Sequence, residues 1–312
     1  MIRYLARYQF TNWLHSAALI LMMLAILSVI GWLIAGEVGL AWALGMGVLL
    51  TVFTPALSPR LILGLYQARP VPPEWAPELH EINRELARRA HLPAIPGLYY
   101  VPSQVMNSFA TGRPGEAAVA LSDGLLRELN GREIAAILAH EISHIRHRDL
   151  WVMGLADVIG RLTSALALAG YFLVLFYLPL SLAGEATIPW GLLLVFVLAP
   201  NLSALLQLAL ARTREYRADI GAVELTDDPL GLAQALQKIE QYHAHWLHRV
   251  LMPHRKNHVP SLLRTHPATE ERIKRLMRMA REEGADFGWP DSIDAPGDSP
   301  PPPRHRFHGF WY

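Results

Sequence analysis

Ala135-Ala136-Ile137-Leu138-Ala139-His140-Glu141-Ile142-Ser143-His144 is the stretch from which the rest of the chain can be read. Asn130 stands just before it as a helix cap, and Glu133 lies three residues on, where a capping box places it. A helix is therefore predicted from Gly131 to about Arg148. His140 and His144 are four apart and share one helical face, one turn apart. Two imidazoles so placed can both reach a Zn²⁺ at about 2.0–2.1 Å. Glu141 projects beside them, where it can take a proton from a metal-bound water. The apolar neighbours make this a core helix, so the histidines are expected to be partly buried. An unpaired buried imidazole is costly, whereas a ligated one is satisfied. The competing reading is that the five-residue pattern arises by chance on a surface helix.

Composition narrows the chemistry. The 312 residues contain no cysteine, which excludes disulfides, thiolate nucleophiles and Cys-ligated metal. Any metal must be held by His, Asp and Glu. Net charge is +1, without the basic excess of a nucleic-acid binder. Apolar residues make up 52% of the chain and charged ones only 18%, with a mean hydropathy of +0.21.

That apolar excess sits in four charge-free runs: Ser16–Gly36, Val38–Pro59, Leu162–Gly184 and Ala186–Ala211. Each is long enough to cross a hydrocarbon core, which takes roughly 20 residues. They pair into two hairpins with very short turns carrying only Glu37 and Glu185. A cleaved signal peptide fits the first run poorly, since no small-x-small site precedes a polar start. Arg3, Arg7, Arg60, Arg69, Arg161, Arg212, Arg214 and Arg217 flank the runs on the opposite side from the turns. This asymmetry predicts that both termini and all polar segments face the cytoplasm.

The expected organisation is an N-terminal transmembrane hairpin (1–66), a cytoplasmic catalytic part with the paired histidines (67–161), a second transmembrane hairpin (162–211), a cytoplasmic part with the third ligand (212–283) and a disordered Pro-rich tail (284–312). Within the polar segments, helices are predicted over Pro77–Ala90, from Ser122 to Leu129, and over Ala211–Leu225, Pro229–His248 and Pro267–Glu283. Met252–Leu263 reads as loop. Strands are predicted at Gly97–Val101, Met106–Thr111 and Ala117–Leu121, with Gly112–Glu116 as the turn between the last two.

A catalytic zinc of this kind needs a third protein ligand, leaving one position for water. The best candidate is Glu215, in Arg214-Glu215-Tyr216-Arg217-Ala218-Asp219, reached after the second apolar hairpin returns the chain to the same side. Asp219 shares its helical face and suits the role of accepting the outer N–H of a ligand His. The competing reading pairs both carboxylates with Arg212, Arg214 or Arg217 in a solvated turn.

Taken together, Asn107-Ser108-Phe109-Ala110-Thr111-Gly112, Ala117-Ala118-Val119-Ala120, Leu138 to His144, Arg214 to Asp219, and Thr265-His266-Pro267 with Arg272-Ile273 resemble the ordered motifs of HtpX-type membrane zinc endopeptidases. The CAAX prenyl endopeptidases are more distantly similar. The resemblance spans roughly Arg3 to Leu276, with Ser108 standing where many members have Ala and the tail after Gly284 as a second departure. It implies a mostly α fold with a small β-sheet: a four-helix transmembrane part in two hairpins and a cytoplasmic gluzincin-like zinc peptidase domain. It implies His140, His144 and Glu215 as ligands to one Zn²⁺ per subunit, with Glu141 as general base. It further implies a role in quality control of membrane proteins under stress, at the bacterial-type inner membrane.

His266 either stabilises the oxyanion or caps the helix that follows. The resemblance implies that Ala118, Val119 and Ala120, with Asn107, Phe109 and Ala110, contact substrate, the strand Ala117–Leu121 acting as an exposed edge that pairs with an extended polypeptide; the competing reading is an ordinary core strand. The cluster His243, His245, His248, His254 and His258 reads as a polar helix face and loop. Asp157 and Arg161 pair across one turn. Phe310-Trp311-Tyr312 reads as part of a loose tail.

The expected activity is endoproteolysis: Glu141-assisted attack of zinc-activated water on peptide bonds of misfolded membrane proteins or unfolded polypeptides, beside a lipid bilayer and without nucleic acid. The alternative is a membrane scaffold or chaperone with a non-catalytic zinc site. The presence of Glu141 speaks against it, and a structural site is usually closed by four protein ligands. A transporter would need ionisable residues within the spans, and the four runs hold none.

Overall fold

The computed structural model describes residues 2–53, 59–184, 190–251 and 269–282. Its elements, in chain order, are α1 (Ile2–Phe53), α2 (Pro59–Leu65), β1 (Arg69–Pro70), α3 (Pro77–Arg89), β2 (Gly97–Val101), β3 (Ser108–Thr111), β4 (Ala118–Ser122), α4 (Asp123–Glu128), α5 (Gly131–Arg146), α6 (Asp149–Leu182), α7 (Trp190–Thr226), α8 (Pro229–Leu251) and α9 (Thr269–Glu282). The chain divides into two compact units, Met1–Ala56 with Trp151–Arg214, and Leu57–Leu150 with Glu215–Tyr312.

The first unit is apolar helix. Among the described residues, three helices are long and apolar enough to cross a membrane, over Leu14–Leu49, Asp149–Leu182 and Leu193–Thr226. The first lies in α1, which holds the whole of the first N-terminal apolar run and the second as far as Phe53. A straight helix of its 52 residues would measure about 78 Å, far beyond a hydrocarbon core of about 30 Å. It is not straight. Helical geometry breaks at Ala35 (φ −141°, ψ 25°) and Gly36 (φ 58°, ψ −139°), the latter a conformation open essentially to glycine. Beyond the break the chain returns along itself. A Cβ on Gly31 would lie 2.6 Å from the Gly39 carbonyl oxygen, and one on Gly47 would press on Leu24. Small residues let the two limbs approach to backbone contact, as in helix pairs that lack a hydrophobic drive to associate.

Side chains of this unit point outward as well as inward. Trp42, Val38 and Phe176 are among its exposed apolar residues, as expected where the solvent is hydrocarbon. Met23, Leu27, Leu155, Ile159, Leu206 and Leu210 form its inner cluster. Gln207 Nε2 donates to the Ala156 carbonyl at 2.8 Å, tying α7 to α6. Asp157 and Arg161 pair at 2.8 Å, as expected. The turn at Glu185 lies outside the described residues.

The second unit is built on a four-stranded sheet of order β1-β2-β4-β3. β2 and β4 are parallel, while β3 and β4 are antiparallel with Ser108 opposite Leu121. α5 lies along one face with α3. Val119 and Leu121 of β4 point into that layer with Leu138 and Ile142. Ala118 and Ala120 point the other way, toward Leu63 of α2 and Val101. Both faces are therefore covered.

That coverage corrects one expectation. The strand over Ala117–Leu121 is not an exposed edge. β4 is central, paired on both sides and buried along its length. Its unbroken apolar run is what burial on two faces demands, whereas a half-exposed strand alternates. Ala118, Val119 and Ala120 have no free backbone edge to offer a substrate. The edge is β3, Ser-Phe-Ala-Thr, whose outer side pairs with no strand among the described residues.

Several local signals hold. Ser122 Oγ accepts from Leu125 N at the start of α4, and Asn130 and Glu133 form a complete capping box at α5. Gly112, at φ +94°, turns β3 toward β4. The two-residue β1 and the short α2 carry too little pattern to be read from sequence. The loop over Met252–Leu263 and the tail 284–312, with Phe310, Trp311 and Tyr312, lie outside the described residues.

Candidate metal centre and active site

All the groups that meet here belong to the second unit. Its buried polar residues cluster on α5 and the elements packed against it. His140 and His144 present their Nε2 atoms to each other at 3.2 Å. Glu215, on the last turns of α7, brings Oε2 to 3.4 Å from His140 Nε2 and Oε1 to 3.9 Å from His144 Nε2. Three acceptor atoms thus converge within 4.8 Å of one another. Ligands about 2.0–2.1 Å from a tetrahedral zinc stand about 3.3–3.4 Å apart. The spacing fits a metal, and without one the two imidazole nitrogens would face each other across a buried gap. The donor set, two imidazoles and a carboxylate with no thiolate, suits Zn²⁺.

Each imidazole is held from behind. His144 Nδ1 lies 3.0 Å from Asp149 Oδ2. His140 Nδ1 lies 3.1 Å from Asp219 Oδ1, off the direction of a good hydrogen bond. Carboxylates on the outer nitrogens fix the tautomer and leave Nε2 for the metal. Arg272 of α9 closes the rear of the site. Its Nε and Nη2 donate to the two oxygens of Asp219 at 2.8 and 2.6 Å, and Nη1 reaches Glu215 Oε2 at 2.7 Å. Asp219 stands beside the outer nitrogen of His140, the position its expected role requires. Arg272 is thus a partner of both carboxylates, one the competing reading did not include.

Burial alone would lower the His140 pKa. Asp219 and Glu215 outweigh it and push the value up to about 10. Two carboxylates around one imidazole attract a cation, and a metal can take the place of that proton. Arg272 is also raised, because Asp219 and Glu215 outweigh its own burial.

Glu141 is buried, one residue from His140, and its Oε1 accepts from Ser108 Oγ at 2.6 Å. Its other oxygen makes no hydrogen bond among the described residues. α7 comes close enough to α5 to deliver Glu215 because residue 221 is glycine: a Cβ there would collide with Ser143 Oγ. His147, one turn after Ser143, contacts the same hydroxyl at 3.2 Å. Burial and the nearby Arg217 push its pKa down to about 4.

The partnerships of three contributors escape sequence reasoning. Asp149 follows His144 by five residues, too far for a helical neighbour. It returns because Arg148 adopts a left-handed conformation (φ 56°) that breaks α5 from α6. Arg272 stands 53 residues from Asp219, and nothing local links them. Ser108 was visible as a departure, but not as a partner of Glu141. Asn107 is exposed at the start of β3, Phe109 stacks against Tyr66 with ring centroids 4.7 Å apart, and Ala110 is buried. His243 sits on the Met106 carbonyl at 3.0 Å, a structural contact. The side chains of His245 and His248 are not described, and His254, His258 and His266 lie outside the described residues.

The sequence profile of peptidase family M48 matches residues 73–280. Curated relatives agree. Protease HtpX homologs of Paraburkholderia phytofirmans, Burkholderia cenocepacia and Burkholderia thailandensis are each 37% identical over 283 residues, covering 86% of this chain and 98% of the relative.

Proposed function

The chain belongs to peptidase family M48 and is an HtpX-type membrane metalloprotease, and from that premise we propose that His140, His144 and Glu215 hold one Zn²⁺ and that Glu141 is the general base. The observation that carries this reading is the convergence of three ligand atoms at metal-ligand spacing beside a buried carboxylate. A bound Zn²⁺ supplies Lewis acidity, polarising a water molecule and the scissile carbonyl.

The residues of the chain do the rest. Glu141 takes a proton from the attacking water on Oε2 and delivers it to the leaving amine. Asp149 and Asp219 hold the two imidazoles in the tautomer that donates Nε2. Arg272 holds Glu215 aimed at the histidines. The free edge of β3, from Asn107 to Ala110, is the proposed seat for an extended polypeptide, which gains backbone hydrogen bonds with little sequence preference. His266 retains its proposed role at the oxyanion.

The four apolar runs are proposed to cross the membrane as two hairpins, the first turning at Gly36. Both termini and the site face the cytoplasm, following the Arg flanks. Substrates are then membrane proteins or unfolded polypeptides exposed on that side.

The test is metal content together with cleavage of an unfolded test protein, in detergent, for wild type and Glu141→Gln. Metal in both with cleavage only in wild type is expected. Cleavage by Glu141→Gln in a clean preparation would remove Glu141 from the role of base.

A further inference from the structure

We propose that Ser108 is a positioning residue for catalysis: its hydroxyl holds one oxygen of Glu141 so that the other faces the reacting water. The proposal rests on the reading of Glu141 as general base.

Ser108 opens the edge strand β3. Successive side chains of a strand point to opposite faces. Phe109 turns toward Tyr66 and the α2 side of the sheet, so Ser108 turns toward α5. There Oγ donates to Glu141 Oε1 at 2.6 Å, the short range of a hydroxyl donating to a carboxylate. It is the sole hydrogen bond to the Glu141 carboxylate among the described residues. A glutamate side chain has three freely turning bonds, and this contact removes most of that freedom at the carboxylate itself.

The contact also sorts the two oxygens. Oε1, already accepting a hydrogen bond, is the poorer proton acceptor, so the proton of the attacking water goes to Oε2. Once Oε2 is protonated, Oε1 becomes the carbonyl oxygen of the acid and still accepts from Ser108. One hydrogen bond therefore aims Glu141 both when it takes the proton and when it gives the proton up to the leaving amine.

The strand does not need this hydroxyl to stay in place. The β3–β4 ladder pairs Ser108 with Leu121 through backbone. Just ahead of it, Asn107 N donates to Ser122 Oγ at 2.9 Å and Ser122 N donates to the Asn107 carbonyl at 3.0 Å. Removing the Ser108 hydroxyl should leave the edge strand, and the backbone it offers to substrate, unmoved. The expected defect is in kcat, not in KM.

The experiment compares full-length wild type, Ser108→Ala, Ser108→Thr and Glu141→Gln in detergent. For Ser108→Ala, kcat should fall about tenfold with KM, zinc content and thermal midpoint unchanged. Ser108→Thr, which keeps a hydroxyl on a strand-favouring residue, should restore most of the loss. A readout free of metal is the infrared carboxylate stretch of the apoprotein. Ser108→Ala should shift one carboxylate band, and the same substitution made in a Glu141→Gln background should shift none. An unchanged kcat and an unchanged carboxylate band would overturn the role of Ser108 while leaving Glu141 as base. A rise in KM at constant kcat would overturn it too, making Ser108 a substrate contact. Cleavage by Glu141→Gln would remove the base itself, and with it both readings.

Discussion

The two units of this chain meet the same problem, how to hold helices together, with opposite means. In the first, α1 folds back at Gly36 and its limbs meet through Gly31 and Gly39, while large apolar side chains such as Trp42 and Phe176 stand exposed. Its polar glue is sparse, with Gln207 on the Ala156 carbonyl as one strut. In the second, apolar side chains are inside, and each buried charge has a partner: Arg272 with Asp219 and Glu215, Asp228 with the half-buried Arg132, and Glu133 with the exposed Lys238. The difference teaches what each solvent permits. Lipid rewards close backbone packing and tolerates exposed leucine. Water rewards an apolar interior, inside which a charge survives only when it is paired.

Four substitutions test that contrast. The largest effect is expected from Arg272→Ala, which takes the Arg272 guanidinium away from the buried Asp219 and the half-buried Glu215. A loss of about 3–5 kcal/mol in the second unit is expected, with little zinc retained. Full zinc content and an unchanged thermal midpoint would show that the buried network does not hold the site. Next is Asp149→Asn, which keeps the shape but weakens the grip on His144 Nδ1. Zinc affinity measured by competition with a chelator should fall about 10- to 100-fold.

Gly39→Leu addresses the other unit. The new side chain would overlap the Gly31 backbone, and overpacking of this kind costs about 1–3 kcal/mol. Detergent stability should drop, while the zinc content of the folded fraction stays at one per chain. A variant as stable as wild type would show that the limbs do not pack through glycine.

The smallest effect concerns His147, whose pKa is lowered from an ordinary 6.5 to about 4 by burial and then by Arg217. Between those values the unfolded chain binds a proton that the folded chain excludes. The stability His147 contributes is thus present above pH 6.5 and is lost as pH falls toward 4. His147→Gln should lose less stability than wild type across that window, measured as thermal midpoints. An identical slope in both would assign the acid sensitivity to other groups.

Much of this molecule is set by short-range pattern. The paired histidines with Glu141, the capping box at Asn130, the apolar runs and the Glu215–Asp219 pair all depend on residues within a few positions of each other. Helical and strand periodicity alone places them on common faces. At one strand it was the resemblance, not the pattern, that misled. Ala117–Leu121 is apolar throughout, which fits an edge less well than a strand buried on both sides, and β4 is the latter.

By itself, then, the sequence determined the segments that form helix and strand, the chain's need for a hydrocarbon environment, and the identities of the residues that converge at the site. Tertiary structure alone decided the partnerships: Asp149 swung back onto His144 by a left-handed Arg148, Arg272 reaching Asp219 across 53 residues, and Ser108 donating to Glu141 from 33 residues away. Local pattern follows from backbone geometry and repeats every few residues. Long-range pairing depends on how packed layers bring distant side chains to within hydrogen-bond reach, and no spacing along the chain records that distance.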